Sequence, residues 1–166
     1  MTALINETIQ DALNKQVVEE FTASAQYTAM AYYFESETLL GLAEFFHAQA
    51  DEERGHALKL LSYVSEAGGQ PLVPATKEPK NHFEDAEEVV QMALNQELKV
   101  TEQINSLVDV AIKENDHLTR NFLQWFVDEQ LEEVSSMSAL LSVVRRASKT
   151  NLLLVEDYLA RHPREE

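Results

Sequence analysis

The chain contains no cysteine. Disulfides, thiolate nucleophiles, iron–sulfur clusters and cysteine-held zinc are thereby excluded, and any metal site must be built from His, Asp, Glu or Gln. Glycine and proline are scarce, with four of each in 166 residues. Two of the glycines and three of the prolines fall in one stretch, GGQPLVPATKEPKNHF at 68–83; elsewhere the near absence of breakers favours long helices. There is no run of about 18 apolar residues to span a bilayer, so no membrane segment is expected. The opening MTALINETIQ has no basic stretch leading into an apolar run, and a cytoplasmic protein is expected. Basic residues are outnumbered, 13 Lys and Arg against 29 Asp and Glu, for a net charge of −16. That argues against nucleic acid, whose phosphates need a basic face, and suits attraction of cations. Many soluble proteins are simply acidic, so charge alone does not choose between these readings.

A length of 166 residues and 45% hydrophobic content suit a single domain, 1–166, with its own core. Helices are expected over 6–36, 38–67, 84–114 and 116–148, with a short amphipathic one over 150–160. Asn81 and Asp116 are candidate N-caps, and Glu84, Asp85, Glu87 and Glu88 put acid where the helix dipole favours it. Helices of such length are about 45 Å long. The breaks near Ser36 and Asn115 allow only antiparallel hairpins. The 68–83 linker, if extended, covers about 50 Å, enough to run the bundle's height. The second and third helices can therefore point the same way. An all-α, up-down-down-up four-helix bundle with one long crossover and a short fifth helix is expected.

Each helix carries a seam with steps of three and four. The first reads Leu13, Val17, Glu20, Ser24, Tyr27, Ala31, Phe34, and the second Leu42, Phe46, Gln49, Glu53, His56, Leu60, Tyr63, Ala67. The third reads Ala86, Val90, Ala93, Glu97, Val100, Ile104, Leu107, Ala111, and the fourth Phe122, Phe126, Gln130, Glu133, Met137, Leu140, Val144. Every seam has a carboxylate near its middle: Glu20, Glu53, Glu97 and Glu133. A buried, unpaired carboxylate costs several kcal/mol, and no Lys or Arg lies on any seam to offset it. A metal is the remaining partner. The midpoint between Glu20 and Glu53 falls at the Ser36–Glu37 break, and that between Glu97 and Glu133 falls at Asn115. Both hairpins thus set their inward carboxylates level.

His56 follows Glu53 by three, on one helical face. Oxygen-rich ligation with one nitrogen suits iron or manganese, and two divalent ions balance four carboxylates. Any one of these glutamates would more often be a surface residue; it is the constellation that argues for a metal. Gly55 costs about 1 kcal/mol in a helix interior relative to alanine, which close approach of a neighbouring helix would explain, as would drift. Tyr27 lies two turns after Glu20, placed to bond a ligand carboxylate or lend an electron, or else to serve as core. Trp125, Phe122 and Phe126 read as packing.

NFLQWFVDEQLEEV at 121–134 resembles the fourth-helix signature of bacterial non-haem ferritins, supported by EEFTASAQY at 19–27, ADEERGH at 50–56 and LNQELKVTEQIN at 94–105. The resemblance covers essentially the whole chain. One long crossover and a Glu-x-x-His donor pair are known features of ferritin-like bundles. The resemblance implies a ferroxidase centre with Glu20, Glu53 and His56 around one iron, Glu53, Glu97 and Glu133 around the other, and Gln130 and Tyr27 beside them. It implies a third iron site at Glu52, Glu129 and Glu132, which a solvated acidic face explains almost as well. Ferrous iron and dioxygen would be the substrates, and the assembly a homo-oligomeric cage of about twenty-four copies that stores ferric mineral. Asp116 and His117 match the place of entry channels, although capping explains Asp116 equally well.

Haem-bearing relatives carry a second Glu-x-x-His on the fourth helix, where this chain has Ser136, and a methionine after the bridging glutamate, where it has Arg54. No haem is expected. A passive iron-binding bundle is the rival reading, as is a di-iron oxidase of an organic substrate, which would need an apolar cavity that the filled seams do not offer.

Overall fold

Asn6 starts the first helix by accepting a hydrogen bond from Ile9 N at 2.9 Å, and α1 then runs Glu7–Ser36. The chain reverses through Thr38, whose φ of 61° breaks the helix, while Leu39 N donates to Phe34 O at 2.9 Å. α2 follows as Leu40–Glu66, antiparallel to α1. α3 (Ala86–Lys113) and α4 (His117–Ala147) repeat the hairpin, turning at Asn115 with φ 55°. Asp116 caps α4, its carboxylate accepting from Thr119 N at 2.9 Å and Thr119 Oγ1 at 2.6 Å. α5 (Leu153–Arg161) closes the described chain. The structure is a computed structural model describing residues 3–163, and the outer positions of the 1–166 domain lie outside the described residues.

The expected start of the third helix is corrected. Asp85, not Asn81, is its cap, with backbone extended at φ −165° and side chain accepting from Glu88 N at 2.9 Å. Asn81 instead donates to Pro79 O at 3.0 Å, within the loop. Phe83 packs on Tyr33 (ring centroids 5.3 Å apart) before the helix begins, which holds residues 81–84 out of helical register.

The crossover is fastened to α1 by two reciprocal amide pairs. Asn14 donates to Gln70 O and accepts from Leu72 N, both at 3.0 Å. Gln26 donates to Lys80 O and accepts from Lys80 N, both at 2.9 Å. Residues 14 and 26 are about 18 Å apart along a helix, so the loop is tied down along α1 and not merely at its ends.

α5 buries Val155 and packs against α2 and α4. Its Glu156 accepts from Gly41 N at 2.6 Å and Leu42 N at 2.9 Å, supplying the cap that Leu39 lacks. A Cβ at Gly41 would stand 3.1 Å from that carboxylate, so glycine leaves it room.

Two apolar clusters fill the bundle. One contains Met30, Phe34, Phe46, Val90 and Met137, and the other Leu13, Val17, Leu60, Ile104, Leu123 and Phe126. Each such side chain contributes about 1.5–3 kcal/mol on burial, enough for the two ends to hold a polar layer between them. The seams run as expected with three exceptions: Ser24, Tyr63 and Phe122 are half-buried, and Val64 and Leu123 are fully buried beside the latter two.

Candidate metal centre

The polar layer consists of Glu20, Glu53, Glu97 and Glu133, at 0, 2, 1 and 4% exposure, one from each long helix. They are mutually close enough to act on one another. Burial first, then the charge of Glu53, holds the Glu20 carboxyl well above the usual carboxylate range. Glu53 is raised likewise, by burial and then by Glu97, with Glu133 adding to it. Among the described residues no Lys or Arg is buried, and His56 is the one buried side chain beside the layer that can carry positive charge.

Each carboxylate is held from one side by a neutral donor. Gln16 Nε2 donates to Glu20 Oε1 at 2.8 Å. Gln49 Nε2 donates to Glu53 Oε1 at 3.1 Å and Glu133 Oε2 at 2.8 Å. Gln130 Nε2 donates to Glu97 Oε2 at 3.2 Å, and the Tyr27 hydroxyl also bonds Glu97 through a short contact. Burial and the Glu97 and Glu53 charges push the Tyr27 hydroxyl well up, so it stays protonated and donates. Glu20 Oε2, fully buried, accepts no hydrogen bond from the protein.

His56 faces carboxylates with both ring nitrogens: Nδ1 lies 3.3 Å from Glu53 Oε2 and Nε2 4.0 Å from Glu129 Oε2. Ligand atoms of Glu20, Glu53 and His56 lie within 4.8 Å of one another, as do those of His56, Glu129 and Glu133. Atoms bound about 2.1 Å from one ion lie at most about 4.2 Å apart, so a small contraction brings either set around a cation. A carboxylate oxygen without a protein donor, in a layer without a buried Lys or Arg, fits that purpose. Glu97 falls in neither set; Tyr27 and Gln130 hydrogen-bond it.

The residues singled out for a third site differ in burial. Glu129 is half-buried beside His56, whereas Glu52 and Glu132 are exposed and their charges raise its carboxyl after the larger effect of burial. His117 is exposed, and Asp116 acts as a cap. A Cβ at Gly55 would meet nothing within 4 Å, so close helix approach within the subunit does not explain that glycine. Trp125 stands edge-on to His56, with centroids 5.4 Å apart, and carries the Lys59 ammonium 4.0 Å above its ring. Sequence reasoning missed Gln16 and Gln49 as partners of the layer. Their signal is the repeated Gln-x-x-Glu-Glu of QVVEE at 16–20 and QADEE at 49–53.

A four-helix bundle with one crossover and a carboxylate-and-imidazole layer at mid-height defines a class of metal-handling proteins. The ferritin-like domain model matches residues 10–147, and the chain belongs to the ferritin family. It is 42% identical over 149 residues to ferritin BfrB of Mycolicibacterium smegmatis, covering 90% of this chain and 82% of that one. It is 36% identical over 159 residues to the bacterial non-heme ferritin of Staphylococcus saprophyticus, covering 95% of both. The open pore ferritin of the archaeon Archaeoglobus fulgidus superposes with a TM-score of 0.92 at 34% identity, covering 98% of this chain and all of that one. Iron storage is the function that this membership gives.

Proposed function

We propose that the chain is a ferroxidase, in which Glu20, Glu53, His56, Glu97 and Glu133 hold two ferrous ions as substrate and Tyr27 and Gln130 orient the ligands. The observation that carries this reading is four buried carboxylates in one layer with a single imidazole and, among the described residues, no buried Lys or Arg. Each ferrous ion gives up one electron, and one dioxygen receives both. The protein's part is to orient, exclude water and set the charge at which ferric iron is held. A carboxyl ligates as the anion, so metal binding works against the burial that raises the Glu20 and Glu53 carboxyls. Glu129, with exposed Glu52 and Glu132 beside it, offers a third iron position on the way out. A cytoplasmic cage of about twenty-four copies, filled with ferric mineral, completes the reading; the ferritin neighbours support self-assembly.

Aerobic addition of ferrous iron, followed with an oxygen electrode, tests the oxidase. Glu53→Ala is expected to abolish the rapid phase of oxygen uptake. Unchanged uptake in that variant would establish passive storage instead.

A further inference from the structure

We propose that Gln49 is a positioning residue that ties Glu53 of one hairpin to Glu133 of the other and so sets the distance between the two metal positions. The inference rests on the two-iron reading above and assigns it a further residue.

Gln49 is 0% exposed, one turn from Glu53 on α2. Its amide nitrogen has two hydrogens, and both are used: one on Glu53 Oε1 at 3.1 Å, one on Glu133 Oε2 at 2.8 Å. The amide nitrogen, not the oxygen, thus faces both carboxylates. The amide oxygen accepts no hydrogen bond. A buried carbonyl is rarely left in that state. At position 49 its neighbours Phe46 and Ala50 are apolar and buried, so leucine or methionine would fill the space without that loss. What an apolar residue would lack is the pair of N–H groups.

Those two bonds do something that Gln16 and Gln130 do not. Gln16 holds a carboxylate of its own helix, and Gln130 reaches from α4 to α3 within one hairpin. Gln49 alone of the three joins the α1/α2 hairpin to the α3/α4 hairpin. By holding one oxygen of each carboxylate it also fixes how the two can turn toward metal, with Glu53 Oε2 directed toward His56. Second-sphere partners of this kind change metal affinity about 10–100-fold when removed.

The test uses assembled, iron-free protein titrated anaerobically with cobalt(II), whose visible d–d bands report coordination. Wild type should bind two cobalt ions per subunit. Q49L should keep one and weaken the other at least about 10-fold, with altered bands; its kcat for ferrous oxidation should fall by more than its KM rises. Q49H, which keeps an N–H donor, should restore part of the second site. Wild-type binding and spectrum in Q49L would overturn the proposal while leaving the two-iron reading standing. Failure of wild type itself to bind two cobalt ions would instead overturn that reading. Should Q49L not assemble, Q49N decides, because its shorter side chain cannot span both carboxylates: two wild-type cobalt sites there would refute the tie. Loss of assembly in both variants would also refute it, placing Gln49 in the fold's stability alone.

Discussion

Replacing Glu53 by glutamine keeps the shape of the side chain and removes one charge at a position 2% exposed. In the metal-free protein Glu53 sits with Glu20, Glu97 and Glu133, its carboxyl raised by burial and then by Glu97. Neutralising a buried charge that Glu97 and Glu133 repel, with no Lys or Arg beside it, should stabilise the fold, by about 1–4 kcal/mol. At about 2–4 °C per kcal/mol for a chain of this size, the melting temperature should rise by roughly 2–16 °C at pH 8. The sign with pH follows from the raised carboxyls. The folded state keeps protons on Glu53 and Glu20 that the unfolded chain releases near about pH 4.3, so their stabilising contribution is complete below that value and is lost as pH rises through the folded values. The gap between variant and wild type should therefore be small near pH 5 and widen toward pH 8. A divalent ion should reverse the order, since it binds the folded wild type; at a hundred times its Kd it adds about 2.7 kcal/mol. Scanning calorimetry across that range, with chelator and then with cobalt(II), measures all of this. Equal or lower stability of E53Q at pH 8 without metal would refute the reasoning.

Tyr27→Phe removes a buried donor to Glu97 and should lower the stability of the metal-loaded protein by about 1.5–3 kcal/mol, the range for a hydrogen bond to a charged group; chemical denaturation with and without metal checks it. Trp125 is the single tryptophan and lies edge-on to His56, so anaerobic addition of cobalt(II) should quench its fluorescence, and His56→Ala should abolish the response. Glu156→Ala should cost about 1 kcal/mol as a lost helix cap and speed amide exchange in α5 and the first turn of α2, as read by mass spectrometry.

The four seams were legible because burial follows helical periodicity so closely that every seam position of α3 is buried. The level of the carboxylates was legible because both hairpins turn within a few residues, at Thr38 and Asn115, leaving no slack in register. The start of α3 was not. Asn81 is a good capping residue type, but its amide bonds Pro79 O and the Phe83–Tyr33 contact delays the helix to Ala86. Nor was the role of Gln49, since an uncharged residue on a seam announces nothing until both of its hydrogens are seen on carboxylates of different helices. Trp125 read as packing, and only the fold brings its edge to His56. Glu156 lies far from Gly41 in sequence, and no local pattern announces a cap supplied by another helix.

Anomalous X-ray diffraction from crystals soaked anaerobically in ferrous iron reaches the centre of the account. Two iron peaks about 3.5–4 Å apart, flanked by Glu20, Glu53, His56, Glu97 and Glu133, are the expected result. Iron confined to the exposed acids Glu52 and Glu132, with the buried glutamates unligated, would contradict it.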